Sequence, residues 1–284
     1  MALVKSVCRA MEHIAPLRLA EKWDNVGLLL EAPFVRPQAH KVLLTIDLTT
    51  EVANEALATP TAVVVAYHPT IFKPLAALTL ANPLQRSLLR LAAAGVSVYA
   101  PHTALDSVTG GINDWLADGV RAGGPAEVRY IGEAFGEEGG QGRLVTFAEP
   151  VSMQDLQARV KKHLGLQHLQ VAYPAGQGAG TTVSTVAICA GSGGSMFAGL
   201  QADVYFTGEM SHHEVLAAVA NGTNVILCGH TNTERGYLPT LAQKLKSTLC
   251  DVVAPEEADA AHASFLRSME IEVSKEDKHP LQIV

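Results

Sequence analysis

Charge, cysteine and long apolar runs are all scarce in this chain of 284 residues. Only 17% of the residues are charged while 48% are hydrophobic, which excludes disorder and calls for a globular protein with sizeable cores, as one large domain or two intertwined lobes. The formal net charge is −7 and no basic cluster offsets it, which argues against a grip on a nucleic-acid backbone. The four cysteines, Cys8, Cys189, Cys228 and Cys250, share no CxxC spacing, so a reduced intracellular protein is expected. Apolar runs are broken by Gly, Pro or His well short of a membrane span. The N-terminus carries Lys5 and Arg9 but also Glu12, and has no cleavable apolar region. Val4, Val7, Cys8, Met11 and Ile14 instead make an apolar stripe at helical spacing. A cytoplasmic protein is expected, with mitochondrion and nucleus left open.

What the chain does have is a set of histidines at strand ends. Asn224 to Cys228 reads as a buried strand, followed by His230-Thr231-Asn232-Thr233-Glu234 and then a helix from Arg235 to Leu245. One helical turn separates His230 from Glu234, so both side chains can point at one spot. That spot is the carboxyl end of a strand, where open α/β sheets gather ligands. Imidazole with carboxylate suits a divalent metal. Upstream, a strand ends at Asp47, Thr49 or Thr50 caps a helix, and Ala62 to Ala66 is a buried strand ending in Tyr67-His68. Downstream, a strand ends near Glu209, Ser211 caps a helix over His212 to Ala220, and the strand to His230 follows. Asp47 precedes His68 by 21 residues, and Glu209 precedes His230 by 21. This repeated order points to an internal duplication. A third strand, Val96 to Ala100, ends in His102, with Asp106 four residues on.

Between these landmarks the spacing predicts helices over Pro83 to Ala94, Ile112 to Ala122 and Ser152 to Leu164. It predicts strands over Arg143 to Phe147, Gln170 to Tyr173, Val183 to Ala190 and, as an alternating edge strand, Met269 to Val273. Trp23-Asp24-Asn25 reads as a turn, Asp and Asn being good turn formers. Gly123-Gly124 and Gly136 to Gly142 read as turns and a surface loop. The stretch from Gly191 to Phe197 is expected to join a strand to a helix, where its bare amides could hold an anion; a tight turn is the plainer alternative.

Two carboxylates with two or three imidazoles suit a two-metal site with a bridging carboxylate. The segments Glu21 to Leu28, Tyr67 to Phe72, Pro101 to Asp106, Thr207 to His213 and Gly229 to Arg235, in this order, resemble the NIF-three-like family, whose bacterial members are called GTP cyclohydrolase I type 2 homologues. The Tyr67-His68 and Gly208-Glu209-Met210-Ser211-His212-His213 forms resemble its eukaryotic branch. The resemblance implies an α/β protein of duplicated, intertwined three-layer α/β/α lobes, 1–135 and 143–284, without an inserted extra domain. It also implies a toroidal hexamer and a dinuclear site. Residue by residue, it carries over His68, Asp106, His230 and Glu234 as ligands, with Asp106 and Glu234 as bridges. His102 and His213 match as supporting or proton-transfer residues, and His212 reads as a solvated helix-start residue. Many bacterial relatives have two adjacent histidines where this chain has Tyr67-His68. Tyr67 could ligate, hydrogen-bond near the metal or face away. Cys228 lies two residues before His230 on the same strand face, and a core thiol is its plainer role.

Two functions are open on this reading. One is a metal-dependent hydrolase of an unidentified small substrate, using two divalent ions of Zn, Mn, Fe, Co or Ni. The family label suggests GTP ring hydrolysis, but the chain shows no guanine-reading motif. The other is a metal-binding regulatory or metal-handling protein acting through protein partners.

Overall fold

The computed structural model describes residues 2–284. The chain opens with α1 (Ala2–Ile14), β1 (Gly27–Leu30), β2 (Lys41–Thr45), α2 (Thr50–Ala58), β3 (Thr61–Ala66), α3 (Pro83–Ala93), β4 (Ser97–Ala100) and the short α4 (His102–Ser107). Next come α5 (Ile112–Arg121), β5 (Ala126–Arg129), β6 (Arg143–Ser152), α6 (Met153–Leu164), β7 (Gln170–Ala172), β8 (Thr182–Ser192), β9 (Val204–Glu209), α7 (His212–Ala220) and β10 (Asn224–Leu227). Two short 3-10 turns lead to α8 (Leu238–Thr248), α9 (Ala260–Ser268) and β11 (Glu270–Val273). Among the described residues, no helix is long and apolar enough to cross a membrane.

Two compact units result. The first combines Met1–Leu105 with Tyr237–Lys278, and the second combines Asp106–Gly236 with His279–Val284. The first unit carries a five-stranded sheet in the order β1-β4-β3-β2-β11. Strands β11, β2, β3 and β4 run parallel, and β1 is antiparallel at one edge. Every residue of β2 and β3 is buried, as expected of parallel strands covered on both faces. Leu43, Val64 and Val98 face a core with Val52 and Ala56 of α2 and Leu88 and Leu91 of α3. Helices α1 and α8 pack on each other and on β3 and β2. The alternating tail is the edge strand β11, paired with β2.

The second unit carries a six-stranded sheet in the order β5-β6-β8-β9-β10-β7. Its centre, β8-β9-β10, is parallel, and β5, β6 and β7 pair antiparallel outside it. Both units therefore contain one parallel strand-helix-strand step of the same kind, β2-α2-β3 and β9-α7-β10. The helix in each is started by its own sequence. Thr49 caps α2 by accepting from the Val52 amide, and Ser211 forms a capping box with Glu214 at the start of α7. The α/β class expected from the sequence holds, as two mixed sheets.

Candidate metal centre

In the first unit the parallel ladder runs past the end of β3. The Tyr67 amide donates to Thr45 O at 2.9 Å and the His68 amide to Ile46 O at 3.0 Å. This puts His68 at the carboxyl end of the sheet, beside Asp47. His68 Nδ1 lies 2.9 Å from Asp47 Oδ1. One strand over, His102 opens α4, and its Nδ1 lies 2.9 Å from Asp24 Oδ1. An ionised carboxylate only accepts, so both rings donate from Nδ1, and Nε2 is the acceptor of such a ring when it is neutral. Burial alone would raise the pKa of Asp24, but hydrogen bonds from His102 and Thr103 outweigh it and hold the carboxyl below its ordinary value. The His68 and His102 rings meet edge to face at 5.3 Å. Tyr67, 2% exposed, packs its ring at 4.9 Å from His68 and 5.4 Å from His102. His102 has φ of +29°, a strained value for a residue with a β-carbon and one that clusters at functional sites.

In the second unit, β9 ends at Glu209 and β10 leads through Gly229 to His230. Gly229 has φ of +84°, which suits glycine and turns the chain out of the strand. A single helix directly after His230 is not what forms. His230–Thr233 is one 3-10 turn, Glu234 leaves it with φ of −121°, Arg235–Tyr237 is a second 3-10 turn, and α8 starts at Leu238. The pair still meets: His230 Nε2 is 3.3 Å from Glu234 Oε1. On its other side, His230 Nδ1 lies 2.9 Å from Glu209 Oε1. Glu234 is 1% exposed.

The end of β8 closes this corner. The Gly191 amide donates to Thr233 Oγ1 at 2.8 Å, and Thr207 Oγ1 donates to Gly191 O at 3.1 Å. A β-carbon on Gly191 would lie 2.7 Å from Glu234 Oε1 and 2.9 Å from His230 Nε2. The stretch 193–200 forms turns, with no helix before α7, so no helix N-terminus is there to hold an anion. Gly191 serves the His230–Glu234 corner instead.

The remaining residues fall as follows. Asp106 is half-buried on α4, and its carbonyl accepts from Asn113 Nδ2 at 3.2 Å. His212 and His213 are exposed on the first turn of α7, their rings 5.4 Å apart. Cys228 is buried, and burial pushes its thiol up to about 12, the behaviour of a core thiol. Sequence reading took Asp24 for a turn former, and the stretch at Gly191 for an anion holder or a tight turn, and neither for a partner of the histidines. Asp24 reaches His102 across 78 residues, a contact that no local pattern announces.

The donor set fits a divalent cation. Nitrogen and oxygen ligands bind such ions at about 2.0–2.2 Å, which places two neighbouring ligands of one ion about 2.8–3.6 Å apart. The His230–Glu234 spacing of 3.3 Å falls in that range. With Nδ1 donating to Glu209, the Nε2 of a neutral His230 is an acceptor set against an acceptor carboxylate. A cation between them, or a proton on the ring, reconciles the two.

The family described as Duf34/NIF3 (NGG1p interacting factor 3) matches residues 2–258. The chain belongs to this NIF3 family. Among its relatives, the protein NIF3 homolog of Schizosaccharomyces pombe is 50% identical over 247 residues, covering 84% of this chain and 88% of that protein. NGG1-interacting factor 3 of Saccharomyces cerevisiae is 39% identical over 298 residues, covering 99% and 97%. The match to the eukaryotic NIF3 branch bears out the sequence resemblance. The crystal structure of a Bacillus cereus protein related to NIF3 superposes with a TM-score of 0.76 at 19% identity, covering 99% of this chain and 98% of that one. At that identity the likeness establishes the shared fold alone.

Proposed function

We propose that this NIF3-family protein binds two divalent metal ions (zinc, manganese, iron, cobalt or nickel) and hydrolyses a small molecule with their help. The observation that carries the reading is the contact of His230 with Glu234, an imidazole nitrogen held against a buried carboxylate in a corner kept open by Gly191. The NIF-three-like resemblance adds His68 to His230 and Glu234 as a ligand. On the same resemblance Asp106 would supply the second carboxylate, Asp106 and Glu234 would be shared by the two ions, and Tyr67 would stand beside one of the two positions. Divalent ions supply Lewis acidity and make water a competent nucleophile near neutral pH. His102, fixed by Asp24, and His213 are the residues for proton transfer. The NIF-three-like resemblance supports a GTP cyclohydrolase I type 2-like reaction as the first to try and a closed homohexamer as the assembly, and the cysteine usage supports the cytoplasm as the place of work. Metal analysis of the purified protein, with turnover over a panel of small substrates, tests the reading. Turnover that disappears in Glu234→Ala with the fold kept supports it; a protein that neither retains nor takes up metal overturns it.

A second reading has its own support. The family description and the budding-yeast relative both carry the name of an interaction with NGG1. A metal-binding regulatory protein, acting through protein partners, would bind metal equally well and show no turnover on any substrate.

A further inference from the structure

Both metal-side histidines are held by an acid from the neighbouring parallel strand, yet the two holds are built differently. In the first unit the His68 amide itself donates to Ile46 O, the residue before Asp47. In the second unit it is Gly229 that donates, at 2.8 Å, to Gly208 O, the residue before Glu209. His230 is thus one residue farther along its strand end than His68 is along its own. The acid in the second unit is glutamate, one methylene longer than aspartate. Both hydrogen bonds end at 2.9 Å. The side-chain length of each acid matches the backbone offset of its histidine.

From this match we infer that Asp47 and Glu209 are positioning residues, which lock the rings of His68 and His230 with the proton on Nδ1 and Nε2 turned to the metal. The inference rests on the metal reading above for its purpose, but not for its geometry. The Asp47 and Glu209 side chains are 40% and 57% exposed, and exposed pairs of this kind contribute little to folding stability. Their use is therefore in orienting the rings. An outer carboxylate that fixes tautomer and ring orientation raises metal affinity about 10- to 100-fold. The lengths are not interchangeable, so a charge at the right place without the right reach does not suffice.

The test uses the full chain in three variants, Asp47→Ala, Glu209→Ala and Glu209→Asp, with zinc as the probe. In metal-free protein, nitrogen-15 NMR of the imidazoles reads the tautomer. We expect the Nδ1–H form of His68 to be lost in the first variant and that of His230 in the other two, with unfolding midpoints close to wild type. Zinc binding by calorimetry is expected to weaken about 10- to 100-fold at the affected position. Rings that keep the Nδ1–H form in the variants overturn the inference, as does Glu209→Asp matching wild type in both tautomer and zinc affinity. A wild-type protein that binds no zinc, while its ring tautomers still respond to the variants, overturns the metal reading and leaves the positioning roles standing.

Discussion

A β-carbon on Gly191 would lie 2.7 Å from Glu234 Oε1, and Gly191 itself has φ of +65°. Two separate demands thus fall on one residue: a left-handed backbone, and an open space against the carboxylate. Gly191→Ala is expected to destabilise the metal-free protein by about 1–3 kcal/mol and to weaken zinc binding. Gly199 is the control, because its φ is +77° but nothing lies within 4 Å of a β-carbon there. Gly199→Ala should show only the backbone cost of about 1 kcal/mol and bind zinc as wild type does. Calorimetry on both variants checks this. Equal zinc affinities would mean that Gly191 does not keep the corner open.

The largest fully buried side chain is a charged one, Arg143 at the start of β6. Its Nε donates to Asp114 Oδ1 at 2.6 Å and its Nη2 to Asp114 Oδ2 at 2.9 Å, while Nη1 donates to the carbonyls of Gly140 and Gly142. Removing the carboxylate leaves a buried guanidinium without its counter-charge. Asp114→Ala is expected to cost about 3 kcal/mol, read as a lower midpoint in urea unfolding. Asp118 pairs with Arg121 at the surface, and Asp118→Ala should change stability by less than about 1 kcal/mol. Similar losses in the two would show that burial does not set the strength of the Arg143 pair.

Much of the site could be read from the sequence, and the reasons are local. Caps mark helix starts by their own hydrogen bonds, so Ser211 was readable, and Thr49 as one of two candidates with Thr50. Strand ends with histidine were readable because apolar runs stop there, and the spacing of 21 linked each acid to its histidine. What stayed hidden depends on the tertiary fold. Strand β5 is short, alternates in burial and is held by antiparallel pairing to β6, so its four residues carry no clear signal. The 3-10 turns after His230 replace an expected helix because Glu234 is drawn back toward His230. Asp24 meets His102 only when the turn at 23–25 folds onto α4, an arrangement that turn propensity does not encode.

His163 supplies the pH prediction. Its ring packs at a tilt against Trp115, 4.3 Å between centroids, and burial lowers its pKa, despite a raising contribution from a backbone hydrogen bond at Trp115. The folded chain thus favours the neutral ring, while the unfolded chain takes up a proton near about pH 6.5. The unfolded state binds more protons in this window, so stability rises with pH. The contribution of His163 is fully present above the unfolded value and is lost as pH falls through the folded value. Unfolding midpoints of wild type should drop more steeply below about pH 6.5 than those of His163→Leu. Parallel pH profiles for the two proteins would remove His163 as a source of acid sensitivity.

Cys228 sits two residues before His230, next to a site where a thiolate would compete for metal. Its burial pushes the thiol up to about 12, and burial also pushes Cys8 up, to about 11. The thiolate is both the nucleophile and the metal ligand, and burial holds Cys228 as the thiol at about pH 8 in the metal-free protein. Two consequences follow in the native protein. N-ethylmaleimide at about pH 8 should leave Cys228 unmodified, and label it readily once the chain is unfolded in guanidinium. Cobalt-loaded protein should lack the near-ultraviolet charge-transfer band of a cobalt–thiolate bond, because imidazole and carboxylate supply the donors. Peptide mass spectrometry after labelling decides the first and absorbance the second. Native labelling of Cys228 at the unfolded rate, or a thiolate band that disappears in Cys228→Ser, would make Cys228 a ligand and break the nitrogen-and-oxygen donor set on which the metal reading stands.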